Sequence, residues 1–237
     1  MQLSKRLQLV ASFVSEGLQL ADIGTDHGYV PVYLVQNKKI PYAYACDVNK
    51  GPLERARRHI QEARLQGQIE TRLGSGLSVL QPGEAQSIVI AGMGGPLMIQ
   101  LLEEGQAVAA SAAELILSPH SEIEGVRRFL HKSGFAIVRE EMVQDEGKFY
   151  TVMRAVQGTE QAYTEAEYRY GRQILQDARP VFGAYLSDQL RKLANLQGQL
   201  QGQAYPAAMA KLEDVEAERS AVQALYGRLY PKMQEEV

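Results

Sequence analysis

Apolar positions along this chain follow two different periods, and the change between them divides it. Through roughly the first two thirds, short apolar runs alternate with segments whose apolar residues recur three and four apart. The runs are Leu18–Ile23, Tyr42–Cys46, Gln68–Leu73, Ser87–Ile90 and Glu114–Leu117, each followed within two residues by a glycine, an acid or a serine. Runs this short with such boundaries read as buried strands. Between them Val30–Gln36, Pro52–Arg64, Leu97–Glu104 and Glu122–Ser133 read as helices. Pro52 stands in a first turn, where its missing N–H is tolerated. Ahead of all these, Lys5–Glu16 reads as a short helix with Leu7, Val10, Ala11 and Val14 on one face. Phe135–Val143 and Lys148–Val156 read as two closing strands around the turn Asp145-Glu146-Gly147. Five strands alternating with helices predict an α/β fold: a mostly parallel, Rossmann-like sheet with helices on both faces.

From about Thr159 the strand pattern stops. Glu165–Ala178 reads as a helix, and Pro180 opens a second with Leu186, Leu190, Leu193 and Leu200 on one seam. After Gly202-Gln203-Ala204-Tyr205-Pro206 a third helix carries Leu212, Val215, Val222, Leu225 and Leu229. One seam per helix and a short Gly/Pro turn predict an α-helical antiparallel coiled-coil hairpin. The expected division is residues 1–158 and 159–237. From Thr159 onward there are nine basic and eleven acidic residues, so this part is no basic arm. It reads either as a packing or dimerising appendage or as a platform for a large substrate.

Composition narrows the class. The 237 residues are 45% hydrophobic and 22% charged, ordinary for a soluble globular protein. A net charge of -3 excludes a strongly basic nucleic-acid coat but leaves room for a local basic patch. Cys46 is the single cysteine, so neither an intrachain disulfide nor a multi-cysteine zinc site is available. No apolar run reaches the roughly 20 residues of a membrane span. No signal-peptide pattern is present either, and a cytoplasmic protein is expected.

Candidate chemistry collects at the ends of the predicted strands. In Ala21-Asp22-Ile23-Gly24-Thr25-Asp26-His27-Gly28-Tyr29 an apolar run ends in an acid, and two glycines precede a helix. Glycine lets a ligand approach the main chain closely, and a helix start offers unpaired N–H groups. Asp47, 25 residues after Asp22, ends the second strand. A carboxylate there can accept both hydrogen bonds of a ribose diol. Gly74-Ser75-Gly76 ends the third strand, where an adenine ring would lie, and Ala91-Gly92-Met93-Gly94-Gly95 ends the fourth. Loops at the carboxyl ends of adjacent parallel strands converge on one crevice. Asp26 stands where a dinucleotide fold would place a further glycine, and an acid there repels a diphosphate. A nucleoside-like cofactor, S-adenosyl-L-methionine, fits better than NAD or FAD. A Gly-Lys-Ser phosphate loop is absent, which argues against ATP chemistry of that kind.

These segments carry a resemblance. DIGTDHGYVPVYL (22–34), ACDVNKGPLERA (45–56), GSGLSVL (74–80), IAGMGGPLMIQLL (90–102), LSPHSEIEGVRRFL (117–130) and EGKFYTV (146–152) resemble the bacterial tRNA adenine(22)-N1 methyltransferases. The resemblance implies a class I methyltransferase domain followed by a helical hairpin. It implies methyl transfer from S-adenosyl-L-methionine to N1 of one adenine in the D arm of tRNA. A closing antiparallel hairpin is also typical of class I methyltransferases, which is a fold-level analogy.

N1 of neutral adenine already carries a lone pair, so the reaction calls for neither a metal nor a covalent enzyme intermediate. The product is cationic, and a nearby carboxylate would stabilise the developing charge. Asp26 is the catalytic candidate, accepting from the exocyclic N6 group; the alternative is a turn residue bonding its own backbone. Cofactor binding is expected from Asp22, Gly24, Thr25, His27, Gly28, Asp47, Val48, Ser75, Gly76, Ala91, Gly92 and Met93. Substrate contact is expected from Tyr29, Gly94 and His120. Phosphate contacts are sought among Arg55, Arg57, Arg58 and Arg64, among Arg127, Arg128 and Lys132, and at Lys5 and Arg6. Solvated helix faces explain such charges equally well. Monomer and homodimer both remain open. Two rival readings stand beside this one: a methyltransferase acting on a small molecule, and a non-catalytic cofactor binder with a coiled-coil interaction module.

Overall fold

The computed structural model describes residues 2–203 and 206–231; the turn residues Ala204 and Tyr205 lie outside them. Its elements, in order, are α1 Lys5–Phe13, β1 Leu20–Ile23, α2 Tyr29–Gln36, β2 Ala43–Asp47, α3 Lys50–Glu62 and β3 Ile69–Leu73. A 3₁₀ turn at Gly76–Val79 leads to β4 Ser87–Ala91, α4 Gly95–Glu104, α5 Gln106–Ser111, β5 Glu114–Ser118 and α6 Ile123–Lys132. Then come β6 Phe135–Asp145, β7 Lys148–Gln157, α7 Glu165–Tyr170, α8 Arg172–Asp177, α9 Pro180–Leu200 and α10 Pro206–Leu229.

One sheet runs β3-β2-β1-β4-β5-β7-β6. The first five strands are parallel, and β7 lies antiparallel between β5 and β6. Every residue of β1, β2 and β5 is buried, as strands covered on both faces require. Alternation sorts them between two cores. Ala21, Ile23, Tyr44, Cys46, Ile88, Ile90, Leu115 and Leu117 face one side, with Met98, Leu101, Val126 and Leu130. Leu20, Ala43, Ala45, Val89 and Ile116 face the other, with Val10, Phe13, Val32, Leu34 and Ile60. Strand order reverses between β1 and β4, and at such a switch point the loops after the two strands diverge and open a crevice.

The chain forms two compact units, Met1–Leu175 and Gln176–Val237. The loss of strand pattern at Thr159 precedes that division, because residues 159–175 pack on the sheet unit. The expected helix Glu165–Ala178 is two helices. Gly171, at φ 95, breaks it where any Cβ would strike the Glu140 carboxylate. That carboxylate pairs with Arg127 at 2.7 Å, and both side chains are only 1% exposed. Arg127 also donates to the Tyr168 and Arg169 carbonyls at 2.7 and 3.0 Å, which ties α7 to α6. The pair removes Arg127 from the phosphate contacts expected of it.

In the second unit α9 and α10 form the expected helical pair. Leu186 and Leu193 are buried on α9; Ala208, Val215 and Val222 repeat at seven on α10. Leu190, Leu200, Leu212 and Leu229 are half-buried beside that seam. Gln197, from the glutamine-rich stretch, donates to Glu216 at 3.0 Å and accepts from Arg219 at 2.6 Å.

Candidate active site

The loop after β1 is shaped by left-handed backbone. Gly24 has φ 74, Asp26 φ 50 and Gly28 φ 69. Aspartate is one of the few non-glycine residues that tolerate this region. A Cβ on Gly24 would run into the tip of Met93, and one on Gly28 would lie 3.1 Å from the Ala56 Cβ. The loop is therefore pressed between the β4 loop and α3. Gly24 and Thr25 both donate main-chain N–H groups to the Cys46 carbonyl at 2.9 Å, fastening it to the end of β2.

Two carboxylates meet beneath it. Asp22 is 5% exposed and accepts the Thr25 hydroxyl at 2.7 Å. Burial pushes its pKa from 3.8 up to about 6, the Thr25 bond opposes the rise, and the nearby Asp47 charge adds to it. No cation among the described residues pairs with Asp22. Asp47 accepts from the Asn49 N–H at 2.8 Å through one oxygen and from the Asp26 N–H at 3.3 Å through the other. Two bonds leave a carboxylate with acceptor capacity for a diol. Val48 and Leu73, at the ends of β2 and β3, are large apolar side chains left 62% and 47% exposed, beside Ser75. Leu73 is a site candidate that the strand pattern hid. Cys46 is buried and its thiol is pushed up to about 12, so it is an inert strand residue.

Asp26 faces a different way from Asp22. Its carboxylate meets Arg55 of α3 at 2.9 Å and lies 3.4 Å from the His27 Nε2. It sits on the β2 side of the loop, since its own N–H bonds Asp47. His27 and Tyr29 stack at 5.0 Å between centroids with planes 6° apart. His59 of α3 joins them, 5.1 Å from Tyr29, with its Nδ1 2.8 Å from the His27 carbonyl. Sequence spacing does not reveal His59 here; only the packing of α3 on the loop brings it in.

The β4 loop is held to the β5 loop. Gly92 donates to the Ser118 carbonyl at 3.1 Å, His120 to the Met93 carbonyl at 2.8 Å, and Gly95 to the Ser121 carbonyl at 3.1 Å. A Cβ on Gly95 would fall 2.6 Å from the Ser121 oxygen, so that glycine serves packing. Gly92, at φ 88, is exposed and Gly94 is half-buried, leaving main chain open beside Ala91 and Met93. Gly76, at φ 51, instead accommodates Leu101. The expected residues thus gather at the ends of β1, β2, β3, β4 and β5. The arrangement offers a buried carboxylate, a diol acceptor, two exposed apolar side chains and an open glycine rim. That donor set fits S-adenosyl-L-methionine: a cationic amino-acid tail, a ribose and an adenine. Among the described residues no group of three or more His, Cys, Asp and Glu is placed to hold a metal ion.

Comparison with known proteins bears on the family. A methyltransferase domain family matches residues 3–153. The tRNA (adenine(22)-N(1))-methyltransferase of Bacillus subtilis is 40% identical over 162 residues, 68% of each chain. The structure of the B. subtilis m1A22 tRNA methyltransferase TrmK superimposes with a TM-score of 0.83 at 31% identity, covering 95% of this chain and 99% of that one. Streptococcus pneumoniae Sp1610, solved with S-adenosyl-L-methionine, gives 0.85 at 32% identity over 95% and 100% of the two chains. At that identity and coverage the chain belongs to the tRNA (adenine(22)-N1)-methyltransferase family.

Proposed function

We infer that this protein methylates N1 of adenine 22 in tRNA, using S-adenosyl-L-methionine. The observation that carries the reading is Asp22, a buried carboxylate at the β1/β4 switch point with no cationic partner among the described residues. An ammonium group of the bound cofactor supplies the missing cation. Asp47 takes the ribose hydroxyls, and Val48, Leu73 and Ser75 border the adenine. The main chain of Gly24, Thr25 and Gly28, with the Ala91-Gly92-Met93 segment, encloses the methionine moiety. When bound, the cofactor supplies an electrophilic methyl group on a sulfonium.

The chain's own contribution is alignment and exclusion of water. The neutral N1 brings its own lone pair, so no residue must remove a proton before the methyl bond forms. The open main chain at Gly92 and Gly94 receives the base, with carbonyls in reach of its N6 amino group. Asp26 is the carboxylate this reading assigns to positive charge on the methylated base, a role that requires its side chain to turn from the α3 side of the loop towards the β4 loop. To do so it exchanges Arg55 for N6. Both partners of that ion pair are more than two-fifths exposed, and such pairs contribute about 0.2–1 kcal/mol, so the exchange is cheap.

Residues 1–158 serve catalysis in this reading, and the helices of 159–237 contact the folded tRNA. No helix among the described residues is long and apolar enough to cross a membrane. A cytoplasmic location is the matching expectation for a tRNA substrate. Incubation with S-adenosyl-L-methionine and unmodified tRNA, followed by mass spectrometry of the nucleosides, tests the function. One 1-methyladenosine per acceptor tRNA, mapped to position 22, is expected. Methylation of a small molecule with none in tRNA would overturn it.

A further inference from the structure

Beside the open rim of Gly92 stands a cluster that the cofactor site does not use. Arg6 of α1 reaches across to the β5 loop, where its Nη1 donates to the His120 Nε2 at 2.8 Å. The guanidinium lies over the Tyr150 ring, 5.2 Å from its centroid, and His120 packs 5.5 Å from the same ring. A Cβ on Gly92 would come within 3.2 Å of the Arg6 Nη1 and 3.8 Å of the His120 ring. The cluster is therefore a wall of the mouth through which a base reaches the β4 loop.

The Arg6 guanidinium makes no direct ion pair among the described residues, although the Arg6 main-chain N–H first, and its charge after it, help hold the Asp145 carboxyl below its usual range. Arg55, Arg72, Arg127, Arg128, Arg139 and Arg172 are each ion-paired. No carboxylate among the described residues pairs with the Arg6 guanidinium. Asp145 takes the Arg6 main-chain N–H instead, at 3.0 Å, and so fixes the start of α1 to the tip of the β6–β7 hairpin. His120 is held below its ordinary pKa, first by burial and then by the charges of Arg6 and Lys148. A neutral His120 offers the acceptor that orients Arg6. A planar guanidinium locked by a histidine and a tyrosine, with donors to spare, suits a phosphodiester oxygen.

We propose that Arg6, oriented by His120 and Tyr150, binds the RNA phosphate next to the adenosine being methylated and positions that nucleotide over Gly92. The contact is made to backbone, so it sets register without reading sequence. It rests on the tRNA reading above. Wild-type protein that leaves tRNA unmethylated refutes that reading. Wild-type methylation with indifferent Arg6 variants refutes only the anchor.

The experiment compares Arg6→Gln and Arg6→Lys with wild type for tRNA affinity, KM and kcat, S-adenosyl-L-methionine affinity and melting temperature. For Arg6→Gln, tRNA KM rises roughly tenfold, as loss of a charged hydrogen bond implies. The slope of log affinity against log salt shrinks by about 0.7–0.9, one phosphate contact. Cofactor affinity stays unchanged. Arg6→Lys keeps the salt slope but recovers only part of KM, having lost the planar fork. An unchanged salt slope in Arg6→Gln overturns the proposal. So does a loss of cofactor affinity in step with a lowered melting temperature, because Arg6 would then be a support of α1 alone.

Discussion

At the scale of single residues, Asp22 and Asp26 show how one loop gives two carboxylates opposite environments. Asp22 is buried without a cation, and its pKa is raised from 3.8 to about 6. In the cofactor-free protein that rise is a cost. Well below pH 3.8 the group is protonated in folded and unfolded chains alike and nothing is lost. As pH climbs from 3.8 towards 6 the unfolded chain ionises first, so stability falls. Above 6 the penalty is constant at roughly 3 kcal/mol, from 1.36 kcal/mol per pH unit. Asp22→Asn keeps an acceptor for Thr25 and removes the charge. Calorimetry should find a higher melting temperature for the variant at pH 7–8, with the gain fading towards pH 4. Titration calorimetry at neutral pH should find weaker cofactor binding. In the wild type the cofactor's ammonium favours ionised Asp22, so affinity should fall by up to about tenfold per pH unit below 6. Asp26 is exposed and paired, so Asp26→Asn should leave cofactor affinity within about twofold while kcat drops tenfold or more. Unaltered kcat would mark Asp26 as a turn residue.

Between elements, a buried ion pair carries a large desolvation cost. The Arg127–Glu140 pair joins α6 to β6 and, through the Tyr168 and Arg169 carbonyls, holds α7. Burial raises the Glu140 pKa, Arg127 opposes the rise, and the Glu160 charge adds to it. Removing one partner leaves a buried charge. Arg127→Met should therefore cost about 3–5 kcal/mol in urea unfolding, and Arg127→Met with Glu140→Leu should recover most of it. The same pair accounts for the broken helix at Gly171. The apolar period through Glu165–Ala178 carries no sign that a glycine there must clear a carboxylate from another element. The arginine-rich helices are a related case. Sequence places Arg55 and Arg127 equally well on solvated faces; packing gives one to Asp26 and the other to the core.

For the whole molecule, the division after Leu175 sets where a truncation is informative. Residues 159–175 supply Glu160, Tyr163, Tyr168 and Arg172; Glu160, Tyr163 and Tyr168 contact His131 of α6, and Arg172 pairs with Glu160. Deletion from Thr159 would strip these as well as the helical pair. A chain ending at Leu175 should bind the cofactor as wild type does and lose tRNA affinity at least tenfold, measurable by filter binding. Equal tRNA methylation by both chains would assign α9 and α10 another role. Local information sufficed for much of this protein. Strand runs buried on both faces, helix periods and the order of acid and glycine at each strand end are short-range features, and they led to the sheet, the helical pair and the candidate cofactor site. Contacts distant in sequence were decided elsewhere. The slot of β7 between β5 and β6, the Arg55 partner of Asp26, the Arg127–Glu140 pair and the Arg6–His120–Tyr150 wall depend on elements up to 144 residues apart, from Arg6 to Tyr150, meeting in space. Hydrophobic period records which face of an element is buried. It holds no information on which other element lies against that face, and charge pairing follows from that second fact.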